Sequence, residues 1–143
     1  EGPKPIKELL PYLKSSGKKS YDINLEVDLT PNNGKPTTIS RSNFKYMYWN
    51  MSQQLAHHTV NGCPVNSGDM MASGTISGPT PESYGSMLEL SWRGEHPIKL
   101  ENGEERKFVE DNDTITLRGF CQNYEVRVGF GECKSQLLPI FKC

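Results

Sequence analysis

The chain has 143 residues, a formal net charge of −1 at pH 7, 34 % hydrophobic and 23 % charged residues. That length suits one modest domain rather than two. Its 16 Lys and Arg are scattered without a basic stripe, which argues against nucleic-acid binding, and no apolar run approaches the roughly 20 residues of a membrane span.

The opening Glu1-Gly2-Pro3-Lys4-Pro5 has no apolar h-region and does not start with Met. It reads as a start inside a longer protein. Residues 1–20, rich in Pro, Gly and Lys (Lys14, Lys18, Lys19), are expected to form an extended arm and a solvated loop. Ile6, Leu9, Leu10 and Leu13 make a short apolar helical turn that Pro11 interrupts.

Tyr21, Ile23, Leu25, Val27 and Leu29 alternate with Asp22, Asn24, Glu26 and Asp28, the clearest strand pattern of the sequence. Asp22, Glu26 and Asp28 share a face and raise the question of a metal site. Strand residues two apart stand ~7 Å apart, and no ligand set closes round a cation, so the row is read as an acidic outer face. Pro31-Asn32-Asn33-Gly34 ends the strand as a turn.

Ser42 is a suitable N-cap, and Phe44, Met47, Tyr48, Met51, Leu55 and His58 follow at spacings of three and four. Gly62 stands where a C′ glycine belongs, with Pro64 beyond it. These signals predict one main helix over about residues 42–61, its stripe packed in the core. His57 and His58 project about 100° apart and cannot ligate one metal in the i, i+4 manner. His58 ends the stripe and is expected to be a hydrogen-bonded core histidine, with His57 on the polar face. A catalytic role for either is the alternative.

Residues 69–77 and 86–92 read as two extended runs joined by a Gly/Pro/Ser turn. Leu88, Leu90 and Trp92 fall on one face at period two, Met87, Glu89 and Ser91 on the other. Gly74 lets the backbone approach a neighbour closely, and Thr75 offers a hydroxyl beside it. Side by side, the two runs would bring a hydroxyl, a close backbone and the Glu89 carboxylate to one pocket. A hairpin with a solvated glutamate on its open face fits the same spacing.

Residues 97–100 and 106–109 are short strand candidates around a polar tip, and residues 114–117 and 124–130 alternate again. Gly129-Phe130-Gly131 points to a tightly approached edge. Cys63, Cys121, Cys133 and Cys143 match no zinc spacing and contain no CxxC, so at least three are read as free thiols of a reducing compartment. Periodicity alone gives a β-rich α+β chain with one main helix.

The run SGDMMASGTISGP followed by ESYGSMLELSW resembles the signature of the fumarylacetoacetases. The superfamily's looser GD-x-x-x-(S/T)-G-T would be weak alone; GTISG and SMLELSW in this order and separation are specific. The resemblance continues through YDINLEVDL and ISRSNFKYMYWNMSQQLAHHTVNGC on one side and FVEDNDTITLRGFCQNYEVRVGFGEC on the other, from about residue 5 to residue 139. Asp111-Asn112-Asp113 resembles the family's Asp-Gly-Asp turn, Asn112 replacing a glycine and tolerating its left-handed conformation. Residues 134–138 depart most from the pattern and are assigned no role.

The resemblance implies that residues 1–143 are the C-terminal part of a longer catalytic domain, a mixed sheet of the β-sandwich-roll type. It implies a cytoplasmic homodimer that hydrolyses the carbon–carbon bond of a β-diketone acid, 4-fumarylacetoacetate. It assigns Glu89 as the glutamate of a His–Glu dyad and Thr75 as a substrate contact. The catalytic histidine and the carboxylates holding a divalent cation (Mg²⁺ or Ca²⁺) would then lie upstream, leaving this chain inactive alone. A related keto-acid decarboxylase or isomerase, or a non-catalytic β-rich binding module, are the alternatives.

Overall fold

A computed structural model describes residues 6–17 and 20–140. Lys18, Lys19, Cys143 and the first residues of the expected arm lie outside them. The architecture is α+β and β-rich, with two sheets and one main helix. Strands β1 (Asn24–Thr30), β2 (Thr37–Asn43), β5 (Thr114–Gln122) and β6 (Arg127–Gln136) form an antiparallel sheet in the order β2-β1-β5-β6. Strands β3 (Ile98–Lys99) and β4 (Glu105–Arg106) pair as a small ribbon. The main helix α1 spans Met51–Thr59, and a one-turn helix α2 spans Met87–Leu90.

The alternation in β1 sets which way its side chains face but not their burial. Asp28, expected on an outer acidic face, is buried because Arg118 pairs with it, and Leu25 and Val27 are only half-buried. Leu29 is fully buried, and Leu13, Phe44 and Leu100 complete a small apolar core. Leu25 stands opposite Ser42 and Gly119, and Val27 opposite Ser40 and Leu117, so these residues share one face of the sheet. The other face carries a ladder of ion pairs. Glu26 meets Arg41 at 3.4 Å, Arg118 Nε meets Glu132 at 2.7 Å, and Arg118 Nη1 also donates to Asp28. Asp22 accepts from Asn43 at 2.7 Å. Each acid of the strand has its own donor.

The turn at Pro31 closes through Gly34 N–H donating to the Pro31 carbonyl at 2.9 Å, with Asn33 at φ 59°. Asn112 takes φ 69°, the left-handed position anticipated from its place in the acidic turn. Leu137 and residues 112–113 exchange backbone hydrogen bonds of 2.7 and 2.9 Å, so the stretch assigned no role anchors the end of β6 to that turn.

The main helix begins later than expected. Ser42 lies in β2, where it pairs with Leu25, and Asn43 caps a 3-10 turn at Phe44–Tyr46. Met47 then reverts to extended backbone, which ends that turn. The helix proper is capped by Asn50, whose side chain accepts from Gln53 N–H at 2.9 Å while Gln53 Oε1 accepts from Asn50 N–H at 3.1 Å. The aromatic and methionine stripe therefore crosses three elements instead of lining one helix. Phe44 is buried, but Met51 and Leu55 are exposed; the buried residue of α1 is Gln53, which donates to the Leu13 carbonyl at 2.8 Å. Leu13 itself ends a 3-10 turn at Pro11–Leu13, so Pro11 starts this turn where the sequence had it breaking one.

Neither run of the expected hairpin is a strand. Residues 69–77 follow an irregular path, and residues 86–92 open with α2. Leu88 and Trp92 are exposed rather than anchored, Trp92 lying at φ 49° in the turn that ends α2. At the other end of the chain β6 is an edge strand, but no atom lies within 4 Å of where a Cβ would stand at Gly129 or Gly131. Gly131, at φ 82°, instead serves the bulge opposite Gly119, where two β6 residues face one of β5.

Candidate functional site

Glu89 sits in the first turn of α2, half-buried, and its carboxylate is the best-held acid of the 67–92 stretch. Ser77 Oγ donates to both carboxylate oxygens, at 2.9 Å to Oε1 and 2.8 Å to Oε2. Ser86 Oγ donates to Oε2 at 2.7 Å and accepts from the Glu89 backbone N–H at 3.3 Å. Ser86 is thus both N-cap of α2 and partner of the carboxylate. Gly85 N–H in turn donates to Ser77 Oγ at 3.1 Å, which leaves the Ser77 proton for Glu89.

Gly85 also explains why the two segments lie so close. A Cβ there would stand 2.7 Å from both the Ile76 carbonyl oxygen and Thr75 Cγ2. Gly74, expected to permit such an approach, has nothing within 4 Å and is needed for its backbone, at φ 78°. The convergence of hydroxyl, close backbone and carboxylate therefore exists with Ser77 and Gly85 in the places expected for Thr75 and Gly74.

Thr75 and Glu89 face different cavities. Glu89 lines one of about 640 Å³ with Tyr84, Leu88, Trp92, Arg93 and Glu95. Thr75 is exposed and lines another of about 490 Å³, formed over the apolar face of the sheet by Leu25, Val27, Leu117 and Phe130. Ser42 lines that second cavity too, and its hydroxyl oxygen is buried without a hydrogen-bond partner. Thr75 and Ile76, packed on Gly85, line the second cavity, while Ser77 next to them reaches Glu89.

The histidines are elsewhere or peripheral. His57 Nδ1 lies 3.3 Å from Tyr12 Oη, and the two rings stack at 6.3 Å. His58, expected in the core, is exposed and hydrogen-bonded to Cys63 Sγ at 3.3 Å, because α1 turns that face outward. His96 tilts edge-on against Trp92 at 6.0 Å, beside the Glu89 cavity. Cys63, Cys121 and Cys133 are free thiols. Among the described residues no three His, Cys, Asp or Glu side chains are grouped to hold a metal ion. No helix among them is long and apolar enough to cross a membrane.

Burial alone would raise the Asp28 carboxyl, but hydrogen bonds from Arg118 and Thr38 and the charges of Arg118 and Arg41 outweigh it and hold it below the usual range. The most enclosed ion pair was not read from the sequence. Asp113, fully buried, receives Arg106 Nε at 2.9 Å and Nη2 at 3.1 Å, and also Glu110 N–H at 2.9 Å. The hydrogen bonds of Asp113, against the opposing effect of burial, raise the Arg106 guanidinium further above its ordinary value. This pair fixes the acidic turn to the β3–β4 ribbon and lies apart from Glu89's partners.

Ser77 and Ser86 are the site residues that sequence reasoning missed. For Ser86 a signal was present, since Ser86-Met87-Leu88-Glu89 has the S-x-x-E form of a helix start. For Ser77 none was, because its contact depends on the irregular path of residues 69–77.

The family described as fumarylacetoacetate (FAA) hydrolase C-terminal matches residues 10–138. The chain is 50 % identical over 145 residues to the fumarylacetoacetase of Dictyostelium discoideum, covering 99 % of this chain and 33 % of that protein. It is 53 % identical over 138 residues to the human fumarylacetoacetase, covering 96 % and 33 % respectively. Against the fumarylacetoacetase of Arabidopsis thaliana the identity is 46 % over 140 residues, covering 97 % and 33 %. The chain thus spans about a third of the length of the curated relatives it matches.

Proposed function

The chain belongs to the fumarylacetoacetate hydrolase family, and from that premise we propose that it is the C-terminal part of a hydrolase acting on 4-fumarylacetoacetate. Water is added across the carbon–carbon bond between the carbonyls, giving fumarate and acetoacetate, the last step of tyrosine and phenylalanine catabolism. The observation that carries this reading is the carboxylate of Glu89, fixed by two serines at a cavity rim.

The reaction requires a base that deprotonates water near neutral pH and donors for the developing negative charge. Glu89 serves the first need indirectly. It accepts the N–H of a histidine supplied by the upstream part of the protein, orients that ring, and stabilises the imidazolium formed as water loses its proton. Thr75 contacts the substrate from the neighbouring cavity.

A divalent cation, Mg²⁺ or Ca²⁺, is part of the proposal for the whole protein, but the described residues here do not fit one. Asp28 and Asp113 are committed to Arg118 and Arg106, Glu26 pairs with Arg41, and no further set of acids converges. The ligands are therefore assigned upstream, and this chain alone is expected to be inactive. A cytoplasmic homodimer is the proposed working form. The free thiols accord with a reducing compartment, and the exposed Phe130, Leu138 and Ile140 with surface that assembly covers.

The test is product analysis with the full-length protein, 4-fumarylacetoacetate and Mg²⁺ or Ca²⁺. Equal amounts of fumarate and acetoacetate support the reading; release of CO₂ from a keto acid instead would place the protein with the decarboxylase relatives.

A further inference from the structure

We infer that Ser77 and Ser86 are positioning residues that fix the Glu89 carboxylate so that Oε1, and not Oε2, receives the histidine. This rests on the reading of Glu89 as the acid of a His–Glu dyad. In each serine a backbone N–H takes up an acceptor position of the hydroxyl and leaves its proton for the carboxylate. Gly85 N–H occupies a lone pair of Ser77 Oγ at 3.1 Å, and Glu89 N–H one of Ser86 Oγ at 3.3 Å. A hydroxyl has one proton, so both protons go to the carboxylate.

The distribution of these bonds is unequal. Oε2 accepts from Ser86 at 2.7 Å and from Ser77 at 2.8 Å, whereas Oε1 accepts only the longer branch from Ser77 at 2.9 Å. Oε1 therefore keeps the more available lone pair. Two donors on separate segments, one at the cap of α2 and one on the 69–77 path, fix the carboxylate plane as a single hydroxyl could not. The group faces a cavity bordered by Trp92 and Arg93, open enough to admit an imidazole from another part of the protein.

A carboxylate left to rotate would still attract a histidine but would not hold its ring in the orientation needed for proton abstraction. Losing the positioning should therefore lower kcat and leave KM nearly unchanged.

The experiment is a set of variants of the full-length protein assayed with 4-fumarylacetoacetate and Mg²⁺. Ser77→Ala should lower kcat about tenfold or more, the scale of a lost hydrogen bond to a charged group, with KM within about twofold. Ser77→Thr, which keeps the hydroxyl, should recover most of the loss, and Ser86→Ala should fall in the same direction. The decisive measurement is the cycle with Glu89→Gln: on that background Ser77→Ala should cost little further kcat. Equal losses with and without the Glu89 carboxylate would overturn the positioning role, as would unchanged kcat in Ser77→Ala while Glu89→Gln is impaired. Unchanged kcat in Glu89→Gln would overturn the dyad reading itself. Should Ser77→Ala fail to fold, Ser86→Ala enters the same cycle with the same outcomes.

Discussion

Arg106 clasps Asp113, seven residues further along the chain, its Nε and Nη2 meeting the two carboxylate oxygens at 2.9 and 3.1 Å. The acid is fully buried and also accepts Glu110 N–H, so the turn at residues 110–113 and the end of β4 are held by one ionic clasp. Removing Arg106 leaves the Asp113 charge buried without a counter-ion, whereas Arg106 would still have Glu104 at 2.7 Å if Asp113 were lost.

Arg106→Met in the full-length protein should therefore lower stability by about 3–5 kcal/mol. Pairing it with Asp113→Leu should recover much of the loss. Urea midpoints of the single and double variants check this, and a single variant as stable as wild type would show that water reaches Asp113.

Asp28 gives a pH dependence of known sign. Its carboxyl is held below the ordinary value of 3.8 in the folded chain, so as pH falls the unfolded chain takes up a proton first. The stabilisation is complete above about pH 4 and is lost as pH drops through the lower, native value. Asp28→Asn should consequently flatten the acid side of the stability curve below about pH 4 and change little of its slope near neutrality. Acid-unfolding curves of equal steepness for variant and wild type would contradict the assignment.

Surface composition yields the third expectation. Val126, Val128, Phe130, Leu138 and Ile140 are all more than half exposed, along and just beyond the edge strand β6. Residues 1–143 alone should self-associate in sedimentation velocity and should not turn over 4-fumarylacetoacetate with Mg²⁺ or Ca²⁺ present. A well-folded monomer would count against the surface argument, and metal-dependent turnover by it against the division of the site.

Much of the sheet was legible because its central strands alternate. Leu25, Val27 and Leu29 announce β1, Ile115 and Leu117 announce β5, and the polar tip at residues 101–105 marks the β3–β4 ribbon. Strand β2 was not legible. It puts Ser40 and Ser42 on the face shared with Leu25, so no apolar alternation exists, and Ser42 before Phe44 has the form of a helix cap. The spacing of Phe44, Met47, Met51 and Leu55 imitates one helix while crossing a 3-10 turn and an extended break. The start signal the helix obeys is the Asn50-x-x-Gln53 pair, eight residues beyond Ser42.

The 86–92 run shows the limit of periodicity. Leu88, Leu90 and Trp92 fit period two, yet a short apolar run cannot separate strand from helix, and the Ser86–Glu89 cap decided for helix. Glu89 was still identified, by resemblance and not by spacing. Its role was legible while its partners were not, since Ser77 reaches it through tertiary structure alone.

The most direct test of the functional account is kcat of Glu89→Gln in the full-length protein with 4-fumarylacetoacetate, beside Glu82→Gln as control. Glu82 is exposed in a 3-10 turn, whereas Glu89 carries the hydrogen bonds of Ser77 and Ser86. The account predicts that Glu89→Gln lowers kcat by roughly 10²- to 10⁴-fold, the usual contribution of a positioned acid–base group, with KM little changed. Both variants should melt within a few degrees of wild type, and Glu82→Gln should keep full activity. A folded Glu89→Gln with near-normal kcat would contradict it and leave Glu89 as an acid in the first turn of a short helix.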